Sequence, residues 1–463
     1  MWLTAVYALT ATNANISMPT NSAALVGAKP TPVLLERLAE AMMFVLRLEK
    51  AADRQLSEYF RAHPQLGQNE RGFIAETVYA GLRHKRMLDL LLDDMQSLRP
   101  EAVLSPYARA RRFTLATLLR ACNMNARELQ EIVRREEIDD LAVYKSALRS
   151  ELPFAVQCGL PDWIVERLSV QMPQAELLAL ARALQQPAPL DLRVNLLKAE
   201  SKQVSKDLQE LGICCEPTPY SPIGLRVKGK PPLQRNPLFL DGRIEVQDEG
   251  SQLIAYLLGP RRGEMVGDFC AGAGGKTLAI AALMRSTGRL YAFDVAEKRL
   301  AKFKPRLARS GASNVDTRLI ESERDPKLGR LAGKLDRVLV DAPCSGLGTL
   351  RRNPDLRWRQ EESDIAELNA KQTSILHAAA KLVKTGGRLV YATCSVLREE
   401  NEDVVRSFLS ANPQFVLRPA AEILLTLEIE LPHWGPKDEF LRLVPHIHGT
   451  DGFFAAVLER ASA

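Results

Sequence analysis

The stretch "EMVGDFCAGAGGKTLAIAALM", Glu264 to Met284, decides how the chain is read. A strand-like run, "EMVGDF", enters a glycine-rich turn, and an apolar helical pattern follows from about Lys276. Gly272, Gly274 and Gly275 let the backbone turn sharply and come close to a ligand. The turn ends in Gly275-Lys276-Thr277 like a phosphate-binding P-loop, but Cys270 stands where that motif has its first glycine. The nucleotide-phosphate pattern therefore fails by one residue.

Downstream, strand-like and helix-like segments alternate. "RLYAFD" ends at Asp294, "LDRVLVDAP" runs through Asp341, and "RLVYATCS" reaches Cys394. The helical spacing of "QTSILHAAAKLV" is expected to stop at Gly386-Gly387. Continuous apolar strands between helices predict an α/β fold: a Rossmann-like, mostly parallel sheet with helices on both faces. In such sheets ligands sit at the carboxyl ends of strands. Asp294 follows the turn by about 20 residues, the spacing at which an acid accepts from an adenosine ribose. NAD, FAD and S-adenosylmethionine all carry adenosine, so this pattern does not choose among them. The G-x-G-G spacing disfavours a dinucleotide.

Seven cysteines occur, an odd number with no C-x-x-C pair, so neither a disulfide framework nor a zinc site is expected. The six histidines show no H-x-x-x-H spacing, and no metal is expected. "DAPCSG" puts Cys344 beside Asp341 at one strand end, and "ATCS" puts Cys394 at the next. A lone cysteine is usually a small buried hydrophobe. Two at strand–loop junctions beside a carboxylate point instead to covalent chemistry. Cys122, Cys158, Cys214 and Cys215 keep the bland reading.

At 463 residues the chain suits two or three domains. With 62 basic and 56 acidic side chains it is mildly basic, compatible with nucleic acid. Residues 1–30, which carry no charged side chain before Lys29, are expected to be a disordered tail, with Met18 an alternative beginning. No stretch suits a membrane span. Residues 31–150 are helical in pattern, with Leu34, Leu38, Met42 and Val45 on one face and Ile74, Val78 and Leu82 on another. Arg109, Arg111 and Arg112 open a later helix against its dipole, which fits either service to a partner or a solvated helix face. Residues 151–235 read as a small α/β domain and 236–463 as the catalytic domain. A monomer is expected.

Taken together, "IEVQDEGSQLIA", "CAGAGGKT", "LVDAPCSGLGTLRRNPDLRWR", "YATCSVLREENED" and "GTDGFFAAVLER" resemble the RsmB/Sun-type RNA cytosine-C5 methyltransferases. The N-terminal "FIAETVYAGLRHK" is similar to the NusB-like RNA-binding module that precedes their catalytic domain. The resemblance implies a class I methyltransferase fold, S-adenosylmethionine as cofactor, and a cytoplasmic enzyme acting on RNA, small-subunit ribosomal RNA first and tRNA second. A catalytically silent assembly factor would not need paired thiols. The resemblance assigns Cys394 as nucleophile on cytosine C6, Asp341 as partner of the base, and Cys344 as the residue that assists release. It gives the cofactor to Cys270, Ala271, Gly272, Ala273, Gly274, Gly275 and Lys276, with Asp294 on the ribose, Glu321 near the adenine, and Asp341 adjoining. Arg351, Arg352, Arg357 and Arg359 are expected to meet RNA phosphates. The target base must leave its stack to reach Cys394.

Overall fold

The structure, a computed structural model, describes residues 30–97, 104–146 and 152–461. The expected tail falls outside them, apart from Pro30. The chain divides into two compact units, one of residues up to Pro187 with Leu350–Glu361, the other of Ala188–Thr349 with the remainder from Glu362. The expected boundaries at 150 and 235 fall inside these two units. The helices from Phe154 to Leu184 belong with the helical unit, and the strands from Leu190 to Val246 with the catalytic one. Among the described residues no helix is long and apolar enough to cross a membrane.

The helical unit opens with Pro32–Val45, started by Pro32 and by the Thr31 hydroxyl accepting from the Leu34 amide at 3.2 Å. Its core takes Leu34, Leu38, Met42 and Val45 together with Ile74, Val78 and Leu82 of the Gln68–Ser97 helix. Carboxylates of the same unit answer the three arginines that open the Pro106–Arg120 helix. Arg109 lies 3.1 Å from Asp93, buried Arg111 donates to Glu137 at 2.9 Å, and Arg112 lies 3.5 Å from Asp140.

Leu350–Glu361 is part of this unit, and it corrects one expectation. Arg357 is fully buried and donates to the carbonyls of Gly159 and Leu184, both at 3.1 Å. Carbonyls at helix ends lack partners within the helix and favour a cation, so this guanidinium is already engaged and has no face for RNA. Arg359 pairs with Asp355 at 2.8 Å, Arg351 donates to the Pro187 carbonyl at 3.3 Å, and Arg352 is half-buried. The Trp358 indole donates to the Leu82 carbonyl at 2.8 Å and packs on the helical core rather than standing free.

The catalytic unit holds two sheets. The first is antiparallel, with β1 (Leu190–Val194), β2 (Cys215–Pro217), β3 (Gly224–Val227) and β4 (Ile244–Val246) in the order β2-β3-β1-β4. The second has eight strands: β5 (Met265–Asp268), β6 (Arg289–Asp294), β7 (Val315–Leu319), β8 (Leu335–Asp341), β9 (Val383–Thr393), β10 (Phe415–Arg418), β11 (Phe440–Leu443) and β12 (Phe453–Arg460). Their order is β10-β12-β9-β8-β5-β6-β7, with β11 beside β12. β5 to β9 run parallel, and β12 joins β9 antiparallel. Strand order reverses at β5, which pairs with both β6 and β8, so the ligand crevice of this fold opens at the carboxyl end of β5.

Gly386 and Gly387 do not end the preceding helix. That helix, Glu362–Ala380, stops earlier, and both glycines lie within β9, whose pairing with β8 shifts register between Leu335 and Arg337. Paired glycines inside a strand mark such an irregularity as readily as a helix end.

Asp268 closes β5, is buried, and accepts from the Thr277 hydroxyl at 2.6 Å, tying the strand to the helix Gly275–Leu283. Burial pushes its carboxyl up to about 7, against the Thr277 bond that favours the charged form. A raised carboxyl stabilises the fold fully below its unfolded value, and that contribution fades as pH rises through about 7. Between pH 4 and 7 the wild type is therefore expected to lose stability relative to Asp268→Asn by on the order of 4 kcal/mol, measured by denaturant unfolding. Parallel pH curves for the two would contradict this. Arg357→Met is expected to destabilise the helical unit by about 2–4 kcal/mol by stranding two buried carbonyls. Its salt dependence of RNA binding should match wild type, whereas loss of a phosphate contact lowers the slope by about 1.

Candidate active site

The turn after β5 is built by its neighbours on both sides. The Phe269 amide donates to Leu339 of β8 and the Ala271 amide to Phe293 of β6, both at 2.8 Å. Gly274 has φ +81°, and a Cβ there would lie 2.0 Å from the buried Phe303 ring, so only glycine fits. Gly272, at φ +57°, differs: a Cβ would meet nothing within 4 Å. Two arginines hold the turn from behind. Arg193 donates to the Gly275 carbonyl at 2.6 Å and Arg306 to that of Ala273 at 2.7 Å. With those carbonyls held, the turn keeps its open side at Gly272.

Asp294, at the end of β6, is buried and accepts from the Gly272 amide at 2.8 Å and the Ala296 amide at 2.7 Å. Its first observed task is thus to shape the turn. Glu321 is exposed just past β7, beyond Ile320, whose amide donates to the Asp294 carbonyl at 3.1 Å. Asp341 ends β8 and accepts from the Lys276 ammonium at 2.8 Å. Burial works against the Lys276 charge, but the adjacent Asp341, helped by Cys394 and Asp268, overrides it and raises its pKa. The Cys270 thiol is pushed well above its usual range by burial first, then by Asp268, Asp341 and Asp294. Three carboxylates and one ammonium thus surround the turn.

Cys344 and Cys394 meet with their sulfurs 3.4 Å apart, and neither is in a disulfide. The hydrogen bond to Cys394, then burial, then the charges of Cys394 and Glu400 hold the Cys344 thiol well above its usual range. Cys394 is among the groups that raise the Lys276 pKa.

Asp341, Lys276, Cys394 and Cys344 thus form a connected group, joined to the glycine turn through Lys276. The reading from sequence missed Asp268, Arg193, Arg306 and Glu400. The strand-end position of Asp268 in "VGDF" was the one available signal among them. Among the described residues no cluster of three or more His, Cys, Asp or Glu could hold a metal ion.

Comparisons with known proteins agree with this geometry. Residues 255–459 match the family described as 16S rRNA methyltransferase RsmB/F, and residues 160–234 match the ferredoxin-like domain of RsmF/B-like methyltransferases. A probable ribosomal RNA small subunit methyltransferase B of Synechocystis is 32% identical over 440 residues, 90% of this chain and 96% of that one. The crystal structure of PH0851 is 27% identical with a TM-score of 0.76, covering 94% of this chain and all of that one. A methyltransferase homologue from Pyrococcus horikoshii is 31% identical with a TM-score of 0.57, covering 66% of this chain and 97% of that one. With the parallel sheet, the glycine turn and near full-length similarity in agreement, this chain belongs to the RsmB/F family of class I, S-adenosylmethionine-dependent methyltransferases.

Proposed function

We propose that the chain methylates C5 of a cytosine in small-subunit ribosomal RNA through a covalent bond between Cys394 and cytosine C6. The observation that carries this is the pair of free thiols 3.4 Å apart beside Asp341. Binding RNA requires no such pair. The ribosomal target rests on the names of the relatives, and the helical unit is proposed to help bind that RNA. The reading implies a cytoplasmic protein acting as a monomer, with no metal in the reaction.

The residues around the turn fit the cofactor. Open space at Gly272 leaves room for the ligand's backbone contact, and an acidic surround suits a sulfonium cation. The same carboxylates would repel a dinucleotide's pyrophosphate. We assign Cys270 to Lys276 to the methionine portion, Asp294 to the ribose hydroxyls and Glu321 to the adenine side. Bound there, S-adenosylmethionine supplies an electrophilic methyl group.

Cytosine C5 is too poor a nucleophile to accept that methyl directly. Cys394 adds to C6 as thiolate and makes C5 enamine-like. The proton that the Cys394 thiol gives up as the S–C6 bond forms passes to N3, where Asp341 stabilises the charge by hydrogen bonding. Lys276 occupies Oδ2 of Asp341, and we assign Oδ1 to protonated N3. After methylation Cys344 gives its proton to the Cys394 sulfur as the C6–S bond breaks, and takes the C5 proton in return. The C5–C6 double bond re-forms, both thiols are restored, and N3 releases its proton to solvent.

Two experiments test this. Cys344→Ala, incubated with S-adenosylmethionine and small-subunit ribosomal RNA, is expected to accumulate a protein–RNA band on a denaturing gel, and Cys344→Ala/Cys394→Ala to show none. A band that survives in the double variant would remove Cys394 as nucleophile. Active wild type with no band in the single variant would remove Cys344 from release. Gly272→Ala is expected to fold with a backbone cost of about 1–2 kcal/mol yet lose the thermal protection that S-adenosylmethionine gives wild type. Undiminished protection would contradict the assignment of the turn.

A further inference from the structure

Each of the paired cysteines is followed by a serine, Ser345 and Ser395, and both serines are buried. Both hydroxyls donate to Oε2 of one carboxylate, Glu400, and the Ser345 amide donates to its Oε1 at 2.8 Å. The two hydroxyl oxygens are 3.2 Å apart. Glu400 is fully buried, and Gln372 gives Oε1 a further donor at 3.0 Å while also donating to the Pro343 carbonyl at 2.9 Å. The backbone of Glu400 is fixed as well, since the Tyr391 hydroxyl donates to its carbonyl at 2.6 Å. Every donor to this carboxylate is neutral. A fully buried acid held only by neutral donors costs stability, so it calls for a task other than packing.

Resting on the function just given, we propose that Glu400 is the positioning residue of the thiol pair, joining the Cys344-Ser345 and Cys394-Ser395 turns so that the two sulfurs stay within reach of one another. The Gly348 amide also joins the two turns, donating to the Cys394 carbonyl at 2.8 Å, but among the described residues Glu400 is the buried side chain that accepts from both serines, next to the sulfurs. Glu400 is also among the charges that hold the Cys344 thiol above its usual range.

Diamide oxidises two neighbouring thiols to a disulfide, taking up both electrons and both protons as it becomes a hydrazine, so its rate reads sulfur proximity without RNA or methyl transfer. In wild type, mass spectrometry is expected to find the Cys344–Cys394 disulfide quickly. Glu400→Ala should form it at least tenfold more slowly. Glu400→Gln, whose amide can donate to the serine hydroxyls in place of accepting from them, should stay within about threefold of wild type. A purely structural role would lower the unfolding midpoint of both variants without this split. Ser345→Ala/Ser395→Ala removes the tie without touching the acid and should be as slow as Glu400→Ala; it carries the test should Glu400→Ala fail to fold. Wild-type disulfide rates in any folded variant lacking the tie would overturn the proposal. A wild type that cross-links as expected yet methylates no RNA would overturn the function and leave the positioning role standing.

Discussion

The site depends on the parallel pairing of β5 with both β6 and β8. Because the chain runs outward to β7 and then resumes on the other side of β5, the carboxyl ends of three adjacent strands open on one crevice. The turn after β5 must fit between them, and its amides reach Leu339 on one side and Phe293 on the other. Gly274 follows from that squeeze against Phe303. The pairing of β8 with β9 does the rest. Asp341 stands opposite Ala392, so Cys344 and Cys394 leave the sheet at nearly the same level and come together beyond its edge. Past the strand ends the Gly348 amide reaches the Cys394 carbonyl at 2.8 Å, and the buried Glu400 carboxylate accepts from both following serines.

Charge is distributed over this geometry with a clear sense. Burial works against the Lys276 charge, and its contact with Asp341 overrides that effect. The same burial, with acids on every side, keeps Cys270 an inert thiol within the turn. Cys344 and Cys394 are chemically alike, but the bond to Cys394, burial and the nearby charges hold the Cys344 thiol above its usual range. That environment supports the proposed role of Cys344 as the proton carrier of the pair.

What the sequence made legible was local and periodic. The strand ends at Asp294 and Asp341, the turn between β5 and its helix, and the helical faces around Leu38 and Val78 follow from patterns within a short window. The juxtaposition of Cys344 and Cys394 was legible through strand ends in a parallel sheet. Hidden were features that depend on who stands nearby in space. "LRRNPDLRWR" looks like an exposed basic run, yet Arg357 is enclosed by two helix ends far away in sequence. Glu400, in "REENED", looks like a solvated acid and is fully buried. Gly386-Gly387 fits a helix stop and a strand irregularity equally well until the partner strand is known. The engagement of Asp294 by backbone amides is likewise a tertiary fact that the ribose-acid spacing does not encode.

The most direct measurement of the central claim is of the product. Small-subunit ribosomal RNA methylated by the wild-type protein with S-adenosylmethionine carrying a deuterated methyl group would be digested to nucleosides and analysed by mass spectrometry. The account predicts that the label appears in 5-methylcytidine and that Cys394→Ala abolishes it. Label in a ribose-methylated or nitrogen-methylated nucleoside, or 5-methylcytidine formed at the wild-type rate without Cys394, would contradict it.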